Sequence, residues 1–502
     1  MNKMAHALKL FFVLLFSECG SVAFLEAAPV ATAPDQYSVV RVNVTNQAYD
    51  FFRPWGKDAP YTRRGLGAVL PDNRVLVTAE LVANANYVEF EKAESGERTS
   101  ASVEVADYEA NLAILRPDSE TFLEGLKPLE LTDSSVGDSA LVQQVESTGA
   151  ILATPALLTT VEVDNYPLDD TALMVYRMTS PLQYRESSFT LPILRNGKLT
   201  GMLMRFDSRT QNIDVVPKPV IEHFLKAAEK RPYGGFPKAG INFAATRDPQ
   251  LRRFAGLPKD ISGGVYVTDV VDGSPAAKAG VKPGDVILEI DGMAIDQDGN
   301  YSDPVYGEIS LINLISTKHY SGERISLRIF RNGREEDIML TLDHRDAADF
   351  MIPPYIIDKA PNYFVLGGLV IQELSREYLK EWGNEWEEKA PKRFVYYDKY
   401  QSNLFQGDDR ERVVILSQII PTGSTVGYED VGSSVVTRIN GRPLKNLKDA
   451  IEAANHPVDG FHKIELEEDP RVIYLDAEQA EVDNEALVNR YGLPSLQRLS
   501  GE

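Results

Sequence analysis

The densest local code in the chain is the run GGVYVTDVVDGSPAAKAGVKPGDVILEIDGMAI at residues 263–295. Val265, Val267 and the β-rich residues around them alternate as a strand does. Asp272-Gly273 turns the chain. Ser274 then reads as a helix N-cap, with Pro275 at the first helical position, where its missing N–H costs nothing. Ala276, Ala277 and Ala279 suit a short helix that packs closely, and Gly280 supplies a left-handed stop. Pro283-Gly284-Asp285 is a turn, residues 286–290 form a second strand, and Asp291-Gly292 is a hairpin signal.

In this order, these elements resemble a PDZ domain of the HtrA/Deg (protease Do-like) type. PDZ modules bind extended peptides by strand addition, so the resemblance implies peptide recognition. A bare strand–turn–strand accounts for the hairpin but not for the whole string.

With 502 residues the chain is too long for one core, and length suggests about three domains. The formal net charge of −22 disfavours nucleic acid and anionic membrane as partners, since both are polyanions. Lys3 and Lys9 precede the apolar run at residues 10–16, and small residues follow at Ala27-Ala28 and Ala31-Thr32-Ala33. This reads as a signal peptide over 1–33, too short to span a bilayer, and predicts an exported, periplasmic or secreted protein. The single cysteine, Cys19, lies inside that segment and follows Glu18 rather than the small residue of a lipidation site. The processed chain would have no disulfide, thiol nucleophile or cysteine-bound metal. No other segment is apolar enough to cross a membrane.

Residues 34–232 read as β-rich, with short runs at 38–44, 67–70, 74–77, 87–90, 113–115, 140–145 and 173–178. Short strands between turn residues suggest a barrel or sandwich. Residues 217–227 have helical spacing, and residues 231–237 look like a linker. The first PDZ-like region is 236–346. Ala239, Gly240, Ile241, Asn242 and Phe243 stand where the family keeps its carboxylate-binding loop and peptide-pairing strand. A facing helix is expected over 307–317, with Ile309, Ile312 and Ile315 on one side. The acidic loop 296–300 fails calcium-loop spacing, because Gly299 is fourth rather than sixth and Gly307 takes the place of the twelfth-position Glu. It reads as a solvated loop, and no metal or cofactor is expected. Asp169-Asp170 and Glu335-Glu336-Asp337 read as solvated turns.

A weaker copy of the module covers 363–502. Residues 435–441 repeat the strand and hairpin pattern of 286–292, and 444–451 have helical spacing. The copy lacks the SPAAKAG helix and carries an insertion at 374–409, helical and acidic at first. Insertion and tail resemble the second PDZ domain of plant-type Deg proteins, where Gly367-Gly368-Leu369-Val370, Tyr378-Leu379, Gly427-Tyr428-Glu429 and Leu493-Pro494-Ser495 have similar counterparts. In that family the module serves assembly and internal docking.

The resemblance implies a chymotrypsin-like double β-barrel for 34–232: a mostly β fold with short helices, followed by two PDZ-like α+β domains. Gly65-Leu66-Gly67-Ala68-Val69, the run at 74–79 and the run at 110–115 match the stretches around the family's catalytic His and Asp. The His position matches Glu80, and the Asp position matches Asn111. The nucleophile position is Phe189 if Pro192 anchors the alignment, and Ser188 if the loop is aligned without a gap. Ser187, Thr190 and Leu191 stand in place of the flanking glycines that shape an oxyanion hole. Of the six histidines only His223 falls in this domain, on the terminal helix, where it caps or packs. A carboxylate with a pKa near about 4.3 is a poor base for a serine hydroxyl, and the Asp-to-Asn change alone costs about 10⁴ in rate in a serine protease.

These residues point to a non-catalytic HtrA/Deg-like protein that binds peptides or protein C-termini as a chaperone-like scaffold or adaptor. Other family members are implied as partners, and a homo-oligomer is implied by the resemblance. Two alternatives stay open: an active serine endopeptidase degrading misfolded exported proteins, and a structural module whose PDZ groove is closed.

Overall fold

Alternation in the first described strand sets the pattern for the barrels. Val40, Val42 and Val44 are buried while Arg41, Asn43 and Thr45 between them are partly exposed. A strand with one apolar face must put that face against others, and closure of the sheet leaves no edge. The structure is a computed structural model that describes residues 38–499 except 94, 147–149, 169–170, 184–189 and 402–409. The expected signal peptide, Asp169-Asp170 and the alternative nucleophile positions Ser188 and Phe189 lie outside the described residues.

The first barrel contains β1 (Val39–Asn46), β2 (Tyr61–Leu70), β3 (Arg74–Val77), β4 (Ala85–Glu91), β5 (Arg98–Asp107) and β6 (Leu112–Pro117), with the one-turn helix α1 (Ala79–Val82) after β3. It closes in the order β1-β2-β3-β6-β5-β4. The second contains β7 (Ser139–Val145), β8 (Ile151–Asn165), β9 (Ala172–Thr179), β10 (Pro192–Arg195), β11 (Lys198–Asp207) and β12 (Asn212–Pro217), closing in the order β10-β11-β12-β9-β8-β7. Helix α2 (Lys218–Ala227) ends the unit and buries Val220, Ile221 and Phe224.

The next module has β13 (Ile241–Ala245), α3 (Pro249–Phe254), β14 (Val265–Val270), α4 (Pro275–Ala279), β15 (Val286–Ile290) and β16 (Met293–Ala294). It continues with β17 (Asn300–Asp303), β18 (Gly307–Ser310), α5 (Leu311–Ser316), β19 (Arg324–Arg331) and β20 (Arg334–Thr341). Its main sheet runs β13-β14-β15-β19-β20, so β13 and β20 are the edges. Helix α4 is built as its sequence requires: Ser274 Oγ accepts from Ala277 N, and Gly280 closes the helix in the left-handed region at φ 85°.

Two expectations are corrected here. The segment 307–317 is not one helix. Gly307 to Ser310 form β18, paired with β17, and only Leu311–Ser316 are helical. Gly307, at φ 74°, turns the ribbon, and Ser310 caps the helix by accepting from Ile312 N. Ile309 therefore lies on a strand and is buried there. Glu335, Glu336 and Asp337 are not in a turn but lie exposed on edge strand β20. Charge on an edge discourages pairing with another chain.

The last module has β21 (Tyr363–Leu366), β22 (Leu369–Glu373), α6 (Arg376–Lys380), α7 (Trp386–Lys389), α8 (Lys392–Gln401) and β23 (Val414–Ile419). It ends with β24 (Ser434–Ile439), β25 (Arg442–Pro443), α9 (Leu447–Ala454), β26 (Phe461–Leu466), β27 (Val472–Asp476), α10 (Ala477–Tyr491) and β28 (Gln497–Arg498). Its strand order is β27-β26-β24-β23-β22-β21-β28. The sequence from β22 to β27 repeats that from β13 to β20, without a counterpart of α4.

An aromatic loop of the first barrel holds this module. Phe52 meets Tyr378 and Trp382 edge to face, with ring centroids 5.7 and 4.8 Å away. Gln372 Nε2 donates to Phe51 O at 3.1 Å, and Arg498 donates to Pro54 O at 3.0 Å. Nothing in the alternation pattern announces residues 51–55; their signal is an aromatic run without a strand period. Replacing the half-buried Phe52 by Ala is expected to destabilise this docking by about 1–3 kcal/mol, below the cost for a fully buried ring. The measurement is urea unfolding together with hydrogen exchange of residues 376–390; unchanged stability and unchanged exchange would contradict the assignment.

Candidate functional site

Residues that the sequence places far apart meet where the two barrels join. Glu80 enters in the single turn of α1, directly after β3. Asn111 ends the turn between β5 and β6 in the left-handed region, φ 52°, which Asn tolerates better than most residues. That turn is tied by Ala110 N donating to Asp107 Oδ1 at 2.8 Å. Asn111 Nδ2 donates to Glu80 Oε2 at 3.1 Å, and Glu80 N donates to Asn111 Oδ1 at 3.0 Å. Arg63 donates to the Glu80 carbonyl. Burial pushes the Glu80 carboxyl above its ordinary value, against the opposing pull of the Asn111 hydrogen bond and of Arg63 and Arg205.

Thr190, the first described residue after the nucleophile segment, lies against β2 and against Thr78, the residue before α1. Thr78 N donates to Thr190 Oγ1 at 3.2 Å, and Leu66 N donates to Thr190 O at 2.9 Å. Gly65 makes room for it: a Cβ there would stand 2.3 Å from Thr190 Cγ2. Sequence reasoning did not single out Arg63 or this seat for Thr190. The Gly-x-Gly of β2 was the available signal, since a strand glycine often marks close approach of another chain segment.

The chemistry of the pair is limited. A neutral imidazole offers one nitrogen to accept a proton and a second to be held by a carboxylate. The pair consists of a carboxylate and an amide and has no imidazole. The amide donates to the carboxylate, so one carboxylate oxygen is already engaged. His223 is remote in role: its Nδ1 is 3.0 Å from Thr317 O, and its ring is stacked on Phe236 and Tyr320.

The second candidate is the groove of the first PDZ module. Val271 N donates to Gly240 O at 3.0 Å, and the register pairs Asn242 with Asp269. The irregularity in this ladder skips Thr268 of β14, so β13 keeps its alternation. The main-chain groups of Ile241, Phe243 and Ala245 therefore face away from β14. No strand among the described residues pairs with that side. Ile241 and Phe243 pack partly buried against the core, as does Ile312 of α5, while Ile315 is buried. Asn242 is exposed, within 3.4 Å of Asp269 Oδ2.

The loop before β13 is fixed from below. Ala239 O accepts from Ala276 N at 3.0 Å. Gly240 sits at φ 75° with Ser274 so close that a Cβ would stand 2.3 Å from the Ser274 Cβ. Lys238 pairs with buried Glu109 of the first barrel at 3.0 Å. The turn of the β17–β18 ribbon is fastened to the barrel side by Tyr306, whose hydroxyl donates to Asp133 at 2.7 Å. Nothing in the sequence pattern flagged Tyr306 or Asp133.

The acidic loop beyond the groove is satisfied internally. Asp298 N and Asn300 N both donate to Asp296 Oδ1 at 2.8 Å, and Arg247 pairs with Asp298. Among the described residues no group of three or more His, Cys, Asp or Glu is placed to hold a metal ion. In the last module the strand equivalent to β13 is β22, and its outer side is occupied by β21.

Comparison with known proteins gives two PDZ domain matches, at residues 237–342 and 352–498. The chain is 27% identical over 465 residues to Protease Do-like 2, chloroplastic, of Arabidopsis thaliana, covering 91% of this chain and 74% of that protein. It is 26% identical over 469 residues to Putative protease Do-like 13 of the same plant, covering 93% and 89%. Among solved structures, HtrA-type protease AlgW with tripeptide is similar at 18% identity and a TM-score of 0.48, covering 62% of this chain and 95% of that one.

Because the Glu80 carboxyl binds its proton more tightly in the fold than in the unfolded chain, its contribution is fully present below about pH 4.5 and is lost as pH rises through the folded value. Glu80→Gln keeps an oxygen for Asn111 and carries no charge. The variant is expected to be more stable than the parent at pH 7, with the difference vanishing near pH 4, by urea unfolding at both values. A variant less stable at pH 7 would mean that the ionised carboxylate is itself a stabilising partner.

Proposed function

We propose that this chain, which belongs to the HtrA/Deg family of protease Do-like proteins, is a non-catalytic member. It captures extended peptides or protein C-termini on its first PDZ module and keeps the double barrel as a scaffold. The observation that carries the reading is the barrel junction, where a carboxylate and an amide hold each other, at the positions matched in sequence to the imidazole and carboxylate of a serine protease. The outward main chain of β13 supports the binding half. An added strand would take hydrogen bonds from Ile241, Phe243 and Ala245, and an apolar terminal side chain would meet Phe243, Ile312 and Ile315. The last module serves assembly, a reading favoured by the closure of β22 by β21. We place residues 1–33 as an export signal and the processed chain in a homo-oligomer or in a mixed assembly with active relatives.

The competing reading is a working endopeptidase with Ser188 as nucleophile, the activity that the names of its relatives carry. Fluorophosphonate labelling of the processed protein, read by intact mass beside a casein digest, separates the two. No adduct and no cleavage are expected; an adduct on Ser187 or Ser188 would establish a protease with an unusual base.

Peptide capture is tested with Ala245→Pro. Ala245 is exposed and its N–H faces the open edge, where proline is tolerated but cannot donate. Binding to an array of peptides with free C-termini is expected to weaken about tenfold, as the loss of one hydrogen bond to a ligand implies, with thermal stability unchanged. Equal binding by parent and variant would remove strand addition at β13 as the mode.

A further inference from the structure

The outer face of β13 carries one polar side chain, and that side chain leans on an acid. Strand residues alternate between faces. Ile241 and Phe243 pack toward the core, so Asn242 between them points to the other side, where it is exposed. Its cross-strand neighbour on β14 is Asp269. The bulge in that ladder leaves Thr268 and Asp269 exposed in succession. Asn242 Nδ2 donates to Asp269 Oδ2 at 3.4 Å. An amide oxygen branches away from its nitrogen, so Asn242 Oδ1 is turned from β14 toward the open edge.

Asp269 differs from other acids of this module. Asp285 is paired with Arg331, Glu289 with Arg328 and Asp298 with Arg247. Among the described residues Asp269 has no cationic partner, and its side-chain hydrogen bond is the one from the Asn242 amide. An unpaired carboxylate thus flanks the one strand edge that is open to a ligand.

We propose that Asp269, together with Asn242, selects a basic side chain, Lys or Arg, at the penultimate position of a C-terminal peptide bound to β13. The inference rests on the peptide-binding reading above and names the ligand class of that groove. With its carboxylate at the loop of Ala239 and Gly240, which turns at φ 75° just before β13, an added strand runs antiparallel to β13. Its last residue then stands opposite Ile241, with its side chain on the groove side. The residue before it stands opposite Asn242 and, by the two-residue period, on the exposed face. Neighbouring strands lie about 4.8 Å apart, so the ligand strand is about 10 Å from β14. A Lys or Arg stem laid across Asn242 spans that gap, donates to Asn242 Oδ1 and brings its charge to Asp269. A Glu at the same position would meet the carboxylate with like charge, and a short residue would leave it in water. The site is exposed, so the gain is that of a surface ion pair, about threefold in affinity. Its value lies in discrimination between ligands, because a wrong charge is repelled as well as a right one held.

The net charge of −22 attracts any cationic peptide, so the test separates position from charge. Short peptides ending in Leu, with Lys, Gln or Glu in the penultimate place, compete on the full chain against a dye-labelled peptide, read by fluorescence anisotropy. A fourth peptide is an isomer of the first with its Lys moved to the opposite end. The penultimate-Lys peptide is expected to bind about threefold more tightly than the Gln peptide and the isomer, and the Glu peptide about threefold more weakly than the Gln peptide. The order should fade in about 1 M salt. Asp269→Asn is expected to level it and Asp269→Lys to invert it, with far-UV circular dichroism unchanged. Thr268→Lys, which sets a cation beside Asp269 without removing it, is expected to weaken the preference for Lys. Equal binding of all four peptides by the parent would overturn the selection, as would an isomer that binds as tightly as the penultimate-Lys peptide or an order that survives Asp269→Lys. Those outcomes leave peptide capture standing, whereas a chain that binds none of the peptides overturns capture and selection together.

Discussion

An unpaired row of main-chain donors and acceptors along β13 is the constraint on which the rest of the structure depends. An open edge in water is a liability, because any extended chain can complete it. The protein carries several potential edges and treats them differently. The barrels abolish theirs by closure. β20 is lined with Glu335, Glu336 and Asp337. At β27, the Tyr428 hydroxyl accepts from Tyr474 N at 3.3 Å. β22 is paired by β21. Among the described residues the outer side of β13 has neither a partner strand nor a row of charges, and its exposed residues are Asn242 and Ala245. Leaving that one edge open while guarding the others is what a peptide-binding strand requires.

An edge is useful only if its surroundings hold still, and the two PDZ modules are anchored by different physics. The last module is held by aromatic packing, with Phe51 and Phe52 of the first barrel inserted beside Tyr378 and Trp382. The first module shares one apolar core with the second barrel and adds polar and stacked contacts: Lys238 to Glu109, Tyr306 to Asp133, and His223 between Phe236 and Tyr320.

Much of this was legible in the sequence because local chemistry decided it. Ser274, Pro275 and Gly280 each have one good place in a helix, and α4 has those bounds. Alternating valines fixed β1, and the helical spacing of 217–227 fixed α2. The misreadings have equally local causes. At 307–317 isoleucines at positions 309, 312 and 315 fit a helix period, but Gly307 and the Ser310 cap split the segment into strand and helix, and a period of three cannot detect a cap inside it. Glu335-Glu336-Asp337 looked like a turn because the rule that charges mark turns ignores edge strands. Contacts across domains were invisible: Thr190 against Gly65, Tyr306 on Asp133 and Phe52 beside Trp382 join residues whose sequence separation carries no periodic trace.

Glu80 and Asn111 meet because barrel closure brings their two turns together. The β3–α1 connection and the turn before β6 must meet in order to close the first barrel, whatever side chains they carry. Glu80 and Asn111 satisfy each other there with one side-chain bond and one bond to the main chain. A histidine–aspartate pair would fill the same space but would keep a basic nitrogen aimed at the cleft. A carboxylate already bonded to an amide makes a structural contact, and Thr190 seals Thr78 against the glycine of β2. The barrel then has every reason to be retained, because Asp107 and Glu109 in the same turn as Asn111 receive Tyr233 and Lys238 from the root of the open groove.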